Sequence, residues 1–164
     1  MIKPILVLCL GNEVLTDDAF GPVVARRLET MLDPCDRVEV IFAPVAGFSL
    51  LDLMHRRERV LVVDSIQTGN ARAGTLHFFE MGQLTPSRNL TCSHQMSLPT
   101  ALELGRKMGY EMPEQIDVLA VEAADVTTLG EMMTQVVEAA VEPALVEIEK
   151  WVGEAKHFCE CARG

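Results

Sequence analysis

Basic residues are scarce in this chain. Lys and Arg together number 14 against 24 Asp and Glu, for a net charge of -10. Binding to nucleic acid or an anionic membrane needs clustered Lys and Arg, so neither is expected as the main partner. The one dense basic run, His55-Arg56-Arg57-Glu58-Arg59, is short and broken by an acid, and it reads as the closure of a helix C-terminus. Aromatics make up only 5% of residues, which leaves core packing to aliphatic side chains and Met. A membrane-length apolar run is also missing. The stretch Met1 to Gly11 is apolar, but it is too short to span a bilayer and lacks a small-residue cleavage site. It reads as a first strand, and a soluble, cytoplasmic protein is expected. The five cysteines, at 9, 35, 92, 159 and 161, are odd in number, and Cys9 sits inside the apolar first segment. They do not form a disulfide framework.

Several familiar motifs are absent as well. Gly11-Asn12 follows a strand, but the second and third glycines of a dinucleotide fingerprint are missing, so Gly11 reads as a tight turn. There is no phosphate-binding Gly-Lys-Ser/Thr loop, no Gly-x-Ser-x-Gly elbow and no His-Glu-x-x-His helix. Nucleotide chemistry and serine hydrolysis are therefore weak readings.

What is present is an alternation of strands and helices. The 164 residues, nearly half of them hydrophobic, suit one domain with one core. Ile5 to Leu10 and Val60 to Val63 are continuous apolar runs, as expected for strands covered on both faces. Further strands are read at 37–43, 75–80 and 116–121, with 59–66 central. Helices are read from Phe20 to Leu32, burying Phe20, Val24, Leu28, Met31 and Leu32, and around 48–54 and 98–108. A last helix is read over 131–152, with Met132, Val136, Val137, Ala140, Leu145 and Ile148 on its buried side and a kink at Pro143. The pattern predicts a single-domain, three-layer α/β fold. Its mostly parallel, twisted, five-stranded sheet carries helices on both faces. Residues 1–155 form that domain, and 156–164 are expected to be a flexible tail.

In such sheets ligands bind beyond the carboxyl ends of the strands. The Asp17-Asp18 loop follows strand one, Asp64 ends the central strand, and His94 lies in the irregular stretch 81–97 after a later strand. Two carboxylates and an imidazole are a ligand set for zinc, nickel, iron or manganese, with coordination positions left open. Spacing alone leaves plainer readings standing. One of Asp17 and Asp18 can be a helix cap, Asp64 can end a strand, and His94 can be a solvated loop residue. Cys92, beside His94, reads as a small thiol. His157, Cys159 and Cys161 resemble half of a zinc site without its complement.

The sequence resembles the hydrogenase maturation proteases, the endopeptidases that process nickel–iron hydrogenase large subunits. The resemblance rests on Ile5-Leu6-Val7-Leu8-Cys9-Leu10-Gly11-Asn12 with Leu15-Thr16-Asp17-Asp18-Ala19-Phe20-Gly21-Pro22. It continues through Val60-Leu61-Val62-Val63-Asp64-Ser65, Ala73-Gly74-Thr75, Ser93-His94-Gln95 and the Val136 to Leu145 helix with Glu142-Pro143-Ala144. The loop 43–47 is less glycine-rich than the family's. By position, the resemblance implies that Asp18, Asp64 and His94 are the metal-contacting and catalytic residues. The implied partner is a hydrogenase large-subunit precursor, whose C-terminal extension is removed after nickel insertion. The nickel would be supplied by that substrate, with other divalent metals able to substitute. We take the working state to be a monomer. The alternatives are a nickel-checking chaperone without proteolysis, and an unrelated hydrolase of this architecture with Asp64 as base.

Overall fold

The computed structural model describes residues 2–32, 37–44, 49–80, 98–130 and 132–161. Five strands form one sheet in the order β2-β1-β3-β5-β4: β1 is Ile5–Leu10, β2 Val38–Ala43, β3 Arg59–Ile66, β4 Leu76–Glu80 and β5 Gln115–Glu122. β1, β2, β3 and β5 pair in parallel, and β4 runs antiparallel along β5 at one edge. β3 is central, as its unbroken apolar run predicts, and every residue of it is buried.

Strand alternation divides the interior into two layers. Ile5, Val7 and Cys9 of β1 point to one face, with Leu61 and Val63 of β3 and Leu119 and Val121 of β5. Two helices cover that face, α1 (Phe20–Met31) and α5 (Val141–Cys161). They contribute Phe20, Val24 and Leu28 from the first, and Leu145, Ile148 and Trp151 from the second. Leu6, Leu8 and Leu10 point to the other face, where α2 (Ser49–Met54) brings Leu51 and Met54, and α3 (Leu98–Lys107) brings Leu102. Burying each such aliphatic side chain is worth about 1.5–3 kcal/mol, so both layers are needed to hold the sheet. The basic run closes α2 as expected. Arg57 Nε donates to the Leu53 carbonyl (3.2 Å), while its guanidinium also reaches the Lys3 carbonyl and the Glu39 carboxylate.

The structure corrects the last third of the chain. The expected helix over 131–152 is two helices, α4 (Gln135–Glu138) and α5. Met132 and Val136 are consequently exposed, while Val137, Ala140, Leu145 and Ile148 are buried as expected. Pro143 is the third residue of α5 and does not kink a helix there. A first-turn residue has no intrahelical acceptor for its N–H, so proline costs nothing in that position. α5 also continues to Cys161, so the stretch expected to be a loose tail from 156 is helical over most of its length. In α1, Met31 is exposed rather than buried, because the helix ends there at the surface. Among the described residues no helix is long and apolar enough to cross a membrane.

Candidate active site

After β1 the chain runs outward to β2, then returns to β3 on the far side of β1. The sheet's switch point is therefore the crevice beyond the carboxyl ends of β1 and β3, where open α/β sheets bind ligands. β1 pairs with β3 only as far as Val63, while β5 pairs with it as far as Ile66. Asp64 and Ser65 thus stand where β3 outruns β1. Asp18 arrives from the other side in a 3-10 turn, Asp17–Ala19, that links β1 to α1.

Two glycines let that turn come so close. Gly11 has φ +140°, and a Cβ there would lie 2.1 Å from the Asp18 carbonyl oxygen. The Asn12 N–H donates to that same oxygen (3.1 Å). A Cβ on Gly21 would lie 1.8 Å from the Leu10 carbonyl oxygen, so the start of α1 rests directly on the last residue of β1. Neither contact tolerates a side chain.

The two adjacent acids have different roles. Asp17 is completely buried, and its carboxylate accepts from the backbone N–H groups of Ala124 (2.8 Å), Asp125 (2.9 Å) and Thr134 (2.8 Å) and from the Thr134 hydroxyl (2.9 Å). Its own N–H donates to the Asp125 carbonyl (2.9 Å). Neither acid makes a side-chain cap to the helix that follows, which corrects the capping expectation. Asp17 instead ties the acid-bearing loop to the segment after β5. That seam continues outward through Thr16, whose N–H and hydroxyl both reach the Thr128 carbonyl, and through a bridge between Leu15 and Leu129.

Asp18 is also buried, and its Oδ1 accepts from the Ser65 hydroxyl at 2.8 Å. The Ser65 backbone N–H donates to Asp64 Oδ1, likewise at 2.8 Å. The two expected acids, from distant parts of the chain, are thus anchored on neighbouring atoms of one residue. Two carboxylates anchored this way offer hard oxygen donors of the kind a divalent cation accepts. Among the described residues no three His, Cys, Asp or Glu side chains are grouped so as to hold a metal ion. His94, the third expected ligand, lies outside the described residues, as does Cys92. Cys9, behind the site, is no nucleophile. Burial, with the Asp64 and Glu29 charges adding to it, pushes its thiol well above its usual range and keeps it protonated.

Sequence reasoning missed two nearby groups. Ser65 is one. Glu122 is the other, at the end of β5, where it accepts from the Thr68 N–H and hydroxyl and the Gly69 N–H and contacts His77 Nε2 (3.0 Å). Burial alone would raise this carboxyl, but those hydrogen bonds outweigh it and hold it below the usual carboxylate range. Glu122 fixes the loop after β3.

A family model described as hydrogenase maturation protease matches residues 22–151. The chain belongs to the hydrogenase maturation protease family. Its members act as endopeptidases, and that coarse activity is this chain's too. The chain is 31% identical over 146 residues to the hydrogenase 2 maturation protease of Escherichia coli strain K12, covering 88% of this chain and 87% of that protein. It is 25% identical over 154 residues to the hydrogenase expression/formation protein HupD of Rhizobium leguminosarum bv. viciae, covering 90% and 75%. Its fold superposes on the hydrogenase maturating endopeptidase HybD from Escherichia coli with a TM-score of 0.77 and 27% identity, over 94% of both chains. Membership sets aside the unrelated-hydrolase reading.

Proposed function

We propose that this maturation protease removes the C-terminal extension of a nickel–iron hydrogenase large-subunit precursor after nickel insertion. In this reading it recognises the nickel the substrate carries through Asp18, Asp64 and His94. The observation that carries the reading is the meeting of Asp18 and Asp64 on Ser65 at the sheet's switch point. A site of two carboxylates and one imidazole is incomplete by itself. It holds free metal weakly and gains its remaining ligands from the substrate, which makes nickel insertion the condition for cleavage. The metal ion in the substrate supplies Lewis acidity at the scissile carbonyl. The protein's part is to orient that ion and to provide a carboxylate, Asp18 or Asp64, that takes a proton from the attacking water.

The test is to incubate the protein with a nickel-loaded large-subunit precursor and follow the precursor's intact mass. The parent should shorten the precursor at its C-terminus. Asp18→Ala, Asp64→Ala and His94→Ala should each slow processing beyond the ~100-fold ceiling typical of groups that only support a metal ligand. If Asp18→Ala and His94→Ala cut as fast as the parent, the assignment of the site is wrong. A stable complex with no shortening by the parent would favour a nickel-checking chaperone instead.

A further inference from the structure

Ser65 is 3% exposed and serves both acids at once. The Ser65 hydroxyl donates its proton to Asp18 Oδ1. Because β1 stops pairing at Val63, the Ser65 N–H is left to the Asp64 carboxylate rather than to a neighbouring strand. Strand alternation sends the side chains of Asp64 and Ser65 to opposite faces of the sheet. The hydroxyl is the contact that joins Asp18 to the residue whose backbone holds Asp64.

We propose that Ser65 is a positioning residue that sets the spacing and orientation of Asp18 relative to Asp64 for a divalent metal ion. The inference rests on the metal-recognising reading given above. Each acid spends one oxygen, Oδ1, on Ser65 and keeps its geometry through it. The hydroxyl is the removable half of that arrangement, since the backbone N–H survives any substitution but proline.

The experiment titrates the isolated protein with cobalt(II), reading affinity and the visible d–d absorption, which reports ligand geometry. It compares the parent with Ser65→Ala, Ser65→Thr and Asp18→Ala. Ser65→Ala should bind cobalt 10–100-fold more weakly, the usual effect of losing a group that orients a ligand, and should shift the d–d band. Ser65→Thr restores the hydroxyl and should return both toward the parent. The same proteins assayed on the metal-loaded precursor should show KM raised in Ser65→Ala and recovered in Ser65→Thr, which reads the site even where free cobalt binds too weakly. If Ser65→Ala matches the parent in affinity, spectrum and KM while Asp18→Ala loses them, the role of Ser65 is refuted and the metal site stands. If Asp18→Ala also matches the parent, the metal reading falls with it. A loss in Ser65→Ala that Ser65→Thr does not recover would mark Ser65 as packing only and overturn the proposal.

Discussion

Asp17 should be a larger determinant of stability than its loop position suggests. Truncating it to alanine removes the acceptor for three backbone N–H groups, those of Ala124, Asp125 and Thr134, and for one hydroxyl. A buried donor left without a partner costs about 1–3 kcal/mol. These donors are partly buried, so water can reach some of them, and the lower end of that range applies to each. Counting the three backbone N–H groups alone, since the hydroxyl can rotate to another acceptor, the sum is about 3 kcal/mol, a sizeable share of the roughly 5–15 kcal/mol that holds a typical domain. For a chain of this size it corresponds to a fall in melting temperature of about 6–12 °C. Asp17→Asn is a sharper version of the test. Both carboxylate oxygens accept hydrogen bonds, so either orientation of the amide turns an NH2 group toward donors, and the isosteric change should cost about as much as truncation. Urea denaturation followed by circular dichroism measures both, with the slope m expected to stay constant. If both variants unfold within about 0.5 kcal/mol of the parent, the clamp does not hold the loop and the reasoning fails.

Two other perturbations follow from the geometry. Gly21→Ala places a Cβ where the Leu10 carbonyl oxygen already stands. α1 must then move off β1 at a cost of about 3 kcal/mol or more, since backbone cannot yield as a side chain can. A thermal melt should show that loss, and precursor processing should fall because Asp18 moves with the helix; a melt matching the parent's would show that the contact is slack. Glu122→Gln should change the acid limb of the stability curve. The folded-state carboxyl is held below its usual value of 4.5, so its contribution is fully present above that value and is lost as pH falls through the lowered one. The glutamine variant should be less stable near neutrality and lose stability less steeply on acidification; parallel acid limbs in the two proteins would count against the network.

Much of this architecture was legible in the residues. The unbroken apolar runs of β1 and β3 identified doubly covered strands, and β3 occupies the expected 59–66 at the sheet's centre. What failed were features set by partners far away in sequence. Apolar periodicity runs through 131–152 as if it were one helix, but the Thr134 N–H and hydroxyl are committed to Asp17. The chain turns again near Ala140 before α5 begins. The reversed direction of β4 was equally hidden, since alternation reveals a strand but not its sense. Within the site, the position of Asp18 and Asp64 at one sheet edge followed from strand order. The division of labour between Asp17 and Asp18 did not, because the donors that satisfy Asp17 lie 107 to 117 positions further along the chain.

That division carries an evolutionary consequence. Asp17 and Asp18 are chemically identical neighbours, and only their count from Leu10 decides which one meets the donors beyond β5 and which one meets Ser65. Removing a single residue between Gly11 and Asp17 would offer Asp18 to the clamp and leave the next residue, Ala19, facing the crevice. Adding one would present Thr16 to the clamp in place of an acid. Side chains on the outer rim of this loop, such as the exposed Val14, can drift freely. The length of the loop cannot, so insertions and deletions here should be purged across descendants far more strictly than substitutions.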